Sequence, residues 1–153
     1  MPFEFSAGAI IYRKEKKRIL YLLLKYGQGQ WDFVEGKIGD EVRGEKALDT
    51  VVREAEEEAG ITDLKFIEGF KQKLHYFFRK ESESYYKTVT FFLAETKKKR
   101  INLSFEHTDY KWLEHEEALE QTTFKNAKDV LKKANTFLQK KKSGFFENFR
   151  FLI

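Results

Sequence analysis

Runs of apolar residues, and positions that alternate between apolar and polar, predict a chain rich in strands. Residues 19–24, Ile-Leu-Tyr-Leu-Leu-Leu, are apolar throughout, as expected of a strand that is buried on both faces. A charged Glu-Lys-Lys turn precedes this run and predicts that the first two strands form a hairpin. Six segments are predicted as strands: residues 5–13, 18–26, 31–36, 64–79, 85–96 and 110–113.

Apolar residues at intervals of three and four predict helices between these strands. The first helix begins at Glu45 and ends before Gly60, a residue that commonly stops helices. Its predicted apolar stripe contains Ala47, Leu48, Val51, Val52, Ala55 and Ala59. Residues 116–120 predict a short helical turn, and residues 125–142 a longer helix. Six of its residues are predicted to face inward: Ala127, Val130, Leu131, Ala134, Phe137 and Leu138.

Three carboxylates lie together on the first predicted helix. Glu54, Glu57 and Glu58 are spaced i, i+3 and i+4, which places them on one side of the same turn. Like charges at this spacing repel one another, and a hard divalent cation would relieve that repulsion. The alternative is a solvated acidic face, which is the commoner explanation for a helix rich in glutamate.

Composition favours a soluble protein over several other classes. The 153 residues suit one domain, and the absence of cysteine excludes a disulfide framework. No segment reaches the roughly 18 apolar residues that a membrane span needs, so we expect a cytoplasmic protein without membrane contact. The net charge of +4 favours anionic ligands in general and does not single out nucleic acid.

The spacing around these carboxylates is more specific than their number. Residues 39–61 resemble the Nudix box, G-x5-E-x7-R-E-U-x-E-E-x-G-U, where U is a bulky aliphatic residue. Eight positions fill it: Gly39, Glu45, Arg53, Glu54, Glu57, Glu58, Gly60 and Ile61. Ala55 is smaller than the usual U residue. The resemblance implies a Nudix hydrolase with an α/β/α sandwich, in which a mixed sheet lies between helices.

A wider resemblance covers roughly residues 6–139. The segments WDF, IEGFKQKLHY, YKTVTFFLAE and LSFEHTDYKWL are similar to those of the asymmetric diadenosine tetraphosphate hydrolases. These Nudix enzymes split a dinucleoside tetraphosphate into a nucleoside triphosphate and a monophosphate. The resemblance implies a small-molecule nucleotide substrate and Mg²⁺ or Mn²⁺ as cofactor.

Site residues follow from the two resemblances. Glu54, Glu57 and Glu58 are the predicted metal ligands, and Gly36 matches a glycine whose carbonyl faces the metal. Glu106 matches a glutamate that serves as a further ligand or as the general base. Arg53 is expected to orient a glutamate, and Glu45 either partners Arg53, caps the helix or contacts metal.

The substrate-binding residues are predicted from the outer segments. Tyr76 and Phe124 match the two aromatic residues that clamp the adenine, and Lys87 matches a lysine that reaches the phosphate chain. Stacking on aromatic rings is sequence-tolerant, so such a clamp would also accept guanine. Aromatic residues in strands are otherwise core residues more often than ligand contacts. The three histidines, His75, His107 and His115, are interpreted as surface or structural residues, although His107 follows Glu106 and could line the site.

One segment departs from the family pattern W-x-x-P-K-G-H-x-x-x-G-E. Val34 and Glu35 replace Pro-Lys, Lys37 replaces His, and three residues are added before Glu45. Glu35 therefore places a negative charge where a phosphate-contacting lysine is expected. Lys37 is the candidate to compensate for it as a substrate-binding residue.

Two other functions stay open at the level of sequence. A Nudix hydrolase could act instead on a nucleoside triphosphate, a nucleotide sugar or the 5′ end of RNA. A non-catalytic nucleotide-binding module would have no need of three converging carboxylates. We assign residues 1–142 to a single Nudix domain and residues 143–153 to an aromatic tail, docked on this domain or at a subunit interface of a homodimer.

Overall fold

The computed structural model describes residues 2–39 and 43–152, with side chains as far as residue 142. Eleven elements follow one another along this part of the chain. The strands are β1 Phe3–Glu15, β2 Arg18–Tyr26, β3 Trp31–Asp32, β4 Val34–Lys37, β5 Lys65–Phe66, β6 Gln72–Lys80, β7 Glu83–Glu95 and β8 His107–Leu113. The helices are α1 Ala47–Ala59, α2 His115–Gln121 and α3 Lys125–Leu152.

Strand β1 is the centre of a mixed sheet. It pairs antiparallel with β2 and β4 and parallel with β7. Strands β5 and β6 add to β7, while β3 and β8 add to β2, all antiparallel. The β1–β7 pair is parallel and the other pairs are antiparallel, so the mixed character of the predicted sheet is confirmed.

Two hydrophobic clusters cover opposite faces of the sheet. On one face, Leu23, Phe91 and Leu93 pack with residues of α2 and α3, such as Ala118 and Leu131. On the other, residues of β1 and β2 pack against α1 and the segment that follows it: Ala7, Ile11, Leu22, Leu24, Val51, Ala55, Ala59 and Ile61. We call these the α3 face and the α1 face. The arrangement confirms the predicted α/β/α sandwich.

Two details of helix α1 differ from the prediction. The helix begins at Ala47, after the N-cap residue Lys46, and Glu45 therefore lies outside it. Leu48 and Val52, expected in the apolar stripe, are 44% and 48% exposed. The buried side includes Thr50 and Glu58 instead, because it faces the polar site described below as well as the apolar core.

The strand predicted over residues 64–79 is divided in the structure, whereas the hairpin that follows it is where it was predicted. Residues 64–79 form two strands, because the chain turns between β5 and β6 at Gly69, whose φ is +95°. Left-handed backbone of this kind favours glycine and interrupts a strand. The turn of the β6–β7 hairpin lies within residues 80–84, as predicted, with positive φ at Glu81 and Ser82.

Helix α3 continues past its predicted end at Lys142 to Leu152. The predicted docking of the aromatic tail depends on side chains that lie outside the described part of the chain. The docking of the tail and the domain boundary at residue 142 therefore stay predictions. Each helix in the described part of the chain is too short or too polar to cross a membrane.

Candidate active site

Helix α1 carries the glutamates of the box, and its ends are fixed by specific backbone geometry. Gly60 adopts a left-handed conformation with φ +68°, and its N–H donates to the carbonyls of Ala55 and Glu56. The chain then passes close to Asn102, whose Cβ would lie 2.9 Å from a Cβ at position 60. A side chain at Gly60 would therefore be excluded by both conformation and space.

Arg53 ties the glutamates of the box together. Its guanidinium donates to Glu45 at 2.9 and 3.0 Å, to Glu54 at 2.7 Å and to Glu57 at 3.3 Å. It also donates to the carbonyl of Lys37 at 3.3 Å. The hydrogen bonds that Arg53 donates to Glu45, together with that to Glu54, outweigh burial and raise the Arg53 pKa above its usual value. This geometry agrees with the predicted role of Arg53, which is to orient glutamates.

Glu45 is the main partner of Arg53. Its side chain is only 3% exposed and also accepts hydrogen bonds from the Gly39 N–H at 3.2 Å and the Thr50 hydroxyl at 2.7 Å. The hydrogen bonds from Arg53, supported by those from Thr50 and Gly39, lower the pKa of Glu45 to about 2. Of the alternatives for Glu45, the structure therefore favours a partner of Arg53.

Gly36 lies directly against Glu54. A Cβ at position 36 would lie 2.5 Å from Glu54 Cγ and closer still to the carboxyl group. Strand β4 and helix α1 can approach this closely only because position 36 has no side chain. The structure thus brings the predicted metal-facing glycine and the first predicted ligand into contact.

Glu58 and His107 form a buried pair beside this contact. The Glu58 residue is 4% exposed, and its Oε2 has no hydrogen-bond partner among the described residues. That oxygen lies 3.3 Å from Nε2 of His107, without hydrogen-bonding geometry. His107 Nδ1 lies 3.0 Å from the Ser104 hydroxyl, and burial lowers the His107 pKa.

His107 lies beside the carboxylates, in a contact that the sequence could not show. We interpreted it as a surface or structural histidine that could line the site, and its side chain is fully buried against Glu58. The position directly after Glu106 was the one available signal, and it could not reveal a contact with a residue 49 positions away. Glu106 itself is exposed, on the turn before β8, and its charge contributes to the raised pKa of Glu58.

The carboxylates provide suitable donors for a divalent metal ion. Burial, followed by the neighbouring Glu54, Glu35 and Glu106, raises the pKa of Glu58, so a bound cation would relieve an unfavourable concentration of charge. The unpartnered Glu58 oxygen and the hard oxygen donors around it suit such an ion. The Glu57 side chain is 40% exposed. Among the described residues, no three histidine, aspartate or glutamate side chains lie close enough together to hold a metal ion as they stand.

A cavity of about 590 Å³ opens next to these carboxylates. Tyr76 of β6 and Phe124, just before α3, both line it, as expected of an aromatic clamp. The other lining residues include Leu74, Val89, Phe91 and Ala127, with polar groups from Gln28, Gln30, Asp32, Glu35 and Asn126. Phe124 is 49% exposed and Tyr76 is partly buried on the α3 face, so both rings are available to a ligand.

Tyr26 connects the cavity to the carboxylates. It lines the cavity, and its ring contacts that of His107 with centroids 4.4 Å apart. Its hydroxyl donates to the Phe33 carbonyl at 2.6 Å. Burial, followed by the charges of Glu58 and Glu35, raises the Tyr26 pKa well above its usual value. One side chain thus touches both parts of the site.

Lys87 lies between the two parts and is paired with Glu35. Its Nζ donates to the Glu35 carboxylate at 2.8 Å and lies 5.6 Å from the centroid of the Tyr76 ring. Burial has the largest single effect and lowers the Lys87 pKa, but the charge and hydrogen bond of Glu35 and the neighbouring Tyr76 together outweigh it and raise the pKa above its usual value. Lys37, the predicted compensating residue, is exposed at the end of β4.

Comparison with known proteins agrees with this geometry. The sequence matches the NUDIX domain family over residues 2–134. It is 37% identical over 145 residues to the asymmetrical bis(5′-nucleosyl)-tetraphosphatase of Mus musculus, covering 87% of this chain and 94% of that protein. The corresponding protein of Caenorhabditis elegans is 32% identical over 138 residues, with 87% and 95% covered.

A solved structure is similar over nearly the same range. The crystal structure of a C. elegans Ap4A hydrolase binary complex superposes with a TM-score of 0.77 at 30% identity. It covers 89% of this chain and 98% of that one. The match over residues 2–134 and the identity to these relatives show that the chain belongs to the NUDIX family.

Proposed function

We propose that the protein hydrolyses dinucleoside polyphosphates, with diadenosine tetraphosphate as the preferred substrate and ATP and AMP as products. The observation that carries this proposal is the position of the cavity. Tyr76 and Phe124 line it, and Tyr26 links it to the buried Glu58. A nucleobase held between the two rings would place its phosphate chain at the carboxylates. The similarity to two asymmetrical bis(5′-nucleosyl)-tetraphosphatases supports the choice of substrate.

Nudix hydrolases generally need a divalent metal ion, and we assign Mg²⁺ or Mn²⁺ to this one. Glu54, Glu57 and Glu58 would hold the ion, with the carbonyl of Gly36 beside them. The ion would offset the charge of the phosphate chain and polarise the attacking water. Arg53 keeps Glu54 and Glu57 in place through hydrogen bonds of 2.7 and 3.3 Å.

The other residues of the site bind and orient the substrate. Tyr76 and Phe124 stack on a base, an interaction worth about 1–3 kcal/mol per base. Lys87 contacts the phosphate chain and stabilises the charge that develops during in-line attack by water. Glu106 is exposed at the edge of the carboxylates, where it serves as a further ligand or accepts the proton of the water.

Product analysis tests the proposal directly. Purified protein is incubated with diadenosine tetraphosphate and Mg²⁺, and the nucleotides are separated by chromatography. We expect ATP and AMP in equal amounts, with no turnover in excess chelator. Two molecules of ADP would mean a symmetric cut and would contradict the proposal. Turnover of only a nucleoside triphosphate, a nucleotide sugar or a triphosphorylated RNA, tested in parallel, would keep the hydrolase chemistry and replace the substrate.

A further inference from the structure

The ion pair between Glu35 and Lys87 occupies the junction of the cavity and the carboxylates. The two charged groups are 2.8 Å apart, and their side chains are only 18% and 17% exposed. They come from strands β4 and β7 and are 52 residues apart in sequence. An ion pair this well shielded from water holds its partners far more firmly than an exposed one does.

Strand geometry explains why Glu35 points to the cavity. Successive side chains of a strand point to opposite faces of the sheet. In β4, Gly36 lies against Glu54 on the α1 face, so Glu35 lies on the α3 face, where it lines the cavity. Lys87 pairs directly with Tyr76 across β6 and β7, and it shares the α3 face with Val89.

The charged groups that line the cavity are both acidic. Asp32 and Glu35 face the cavity, whereas its described lining contains no lysine, arginine or histidine. Lys87 is not among the lining residues, whereas its partner Glu35 is. Burial, followed by the charge of Glu35, raises the pKa of Asp32, and Glu35 also contributes to the raised pKa of Glu58. Glu35 thus lies within electrostatic reach of both halves of the site.

We propose that Glu35 is a specificity-determining residue that competes with the phosphate chain of the substrate for the ammonium group of Lys87. A phosphate chain that binds Lys87 must either displace the carboxylate or share the ammonium group with it. The inference rests on the proposed function in one respect, namely that the substrate carries a phosphate chain past Lys87. The consequence is selective: ligands with a phosphate chain bind less tightly, and a nucleoside without phosphate is unaffected.

The size of the effect follows from the charges. Glu35 neutralises the ammonium and also repels the incoming phosphates. One unit charge placed about 10 Å from a charged phosphate, in a medium of effective dielectric constant about 20, changes the affinity for that phosphate roughly tenfold. We therefore expect Glu35→Gln, which keeps the shape of the side chain and its ability to accept a hydrogen bond, to lower KM about tenfold.

The main experiment compares Glu35→Gln with Glu83→Gln. Glu83 is an exposed glutamate at the β6–β7 hairpin, so its loss makes the same change in net charge far from the cavity. Steady-state kinetics with diadenosine tetraphosphate should show the lower KM only for Glu35→Gln. An unchanged or raised KM for Glu35→Gln would overturn the proposal.

Three further measurements separate competition from other effects. The inhibition constant of ATP should fall in Glu35→Gln, whereas that of adenosine should not. In a Lys87→Met background, Glu35→Gln should have a smaller effect, because no ammonium is left to release. An equal effect in both backgrounds would mean simple repulsion and would overturn the competition. A shift in the Mg²⁺ concentration for half-maximal rate, with KM unchanged, would place Glu35 in the metal site instead.

The outcome does not depend on the choice of natural substrate. If the wild-type protein cleaves no dinucleoside polyphosphate, the proposed function fails, and binding of inorganic tripolyphosphate, measured by calorimetry, tests Glu35 by itself. Tighter binding by Glu35→Gln than by wild type would support the inference, and equal binding would overturn it. Should Glu35→Gln lower the melting temperature, Glu35→Thr serves as the second variant, because threonine is well suited to a strand.

Discussion

A methyl group added at Gly36 tests whether the close approach of strand β4 to helix α1 positions Glu54. A Cβ there would lie 2.5 Å from Glu54 Cγ, whereas ordinary contact begins at 3.4 Å. The Glu54 side chain must then move by about 1 Å or more, and a misplacement of that size in an active site can cost on the order of 100-fold in rate. We expect Gly36→Ala to lower kcat about 100-fold. This corresponds to an activation free energy that is higher by about 2.7 kcal/mol.

The effect on folding should be much smaller than the effect on rate. Glu54 is a flexible side chain that can rotate away, so the backbone is not forced apart. What is lost is the 2.7 Å hydrogen bond from Arg53, a charge-assisted interaction worth about 1.5–3 kcal/mol at most. Loss of unfolding free energy near the low end of that range is expected, measured by urea denaturation alongside the kinetics.

A double variant identifies the cause. In Gly36→Ala/Glu54→Ala the clashing atoms are gone, so the added methyl group should no longer destabilise the protein relative to Glu54→Ala alone. Activity should stay low in both, because the predicted ligand is missing. The reasoning would be refuted if Gly36→Ala kept normal kcat, or if its destabilisation persisted without the Glu54 side chain.

Three other predictions concern single residues. Glu57→Gln should lower kcat by orders of magnitude with little change in melting temperature. The control Glu56→Gln, at an exposed position of the same helix, should leave both unchanged. Normal activity of Glu57→Gln would remove Glu57 from the metal site. Tyr76→Ala should raise KM for diadenosine tetraphosphate about 5- to 150-fold at nearly constant kcat, and an unchanged KM would show that the ring does not stack on a base. Glu45 has a pKa lowered to about 2 in the folded state, so its contribution to stability is present above the unfolded pKa and is lost as pH falls towards 2. The stability difference between wild type and Glu45→Gln should therefore shrink between pH 5 and pH 3, and a constant difference would contradict the assigned pKa.

Local spacing explains why much of the site could be predicted from sequence. Glu54, Glu57 and Glu58 are placed by the geometry of one helix, and Gly60 by the way that helix ends. The contacts of Arg53 with Glu54 and Glu57 are likewise between near neighbours. Such features depend on a few consecutive residues and are therefore visible in the sequence.

Long-range contacts explain most of what was missed. The burial of His107 against Glu58 depends on where β8 is placed beside β2, which the pattern of β8 alone does not reveal. The exposure of Leu48 and Val52 has a similar origin, because the side of α1 that packs inward is chosen by the sheet and by the polar site. Periodicity identified the helix but could not fix its rotation about its own axis.

The departure from the family pattern before Glu45 has two parts with different structural consequences. The three added residues lie between Lys37 and Glu45, and across this loop the Gly39 N–H still donates to Glu45 at 3.2 Å. The register of β4 with β1 is set elsewhere, at Gly8, where a Cβ would lie 2.5 Å from the Val34 carbonyl.

Because that register fixes the alternation of β4, Gly36 is directed to Glu54 and Glu35 to Lys87. A shift of one residue would exchange the two, placing a carboxylate against Glu54 and leaving Lys87 unpaired. The insertion is therefore compatible with an intact carboxylate site. The replacement of lysine by Glu35 is the change that we expect to affect the substrate, since it alters the charge at a position of β4 that lines the cavity and contacts Lys87.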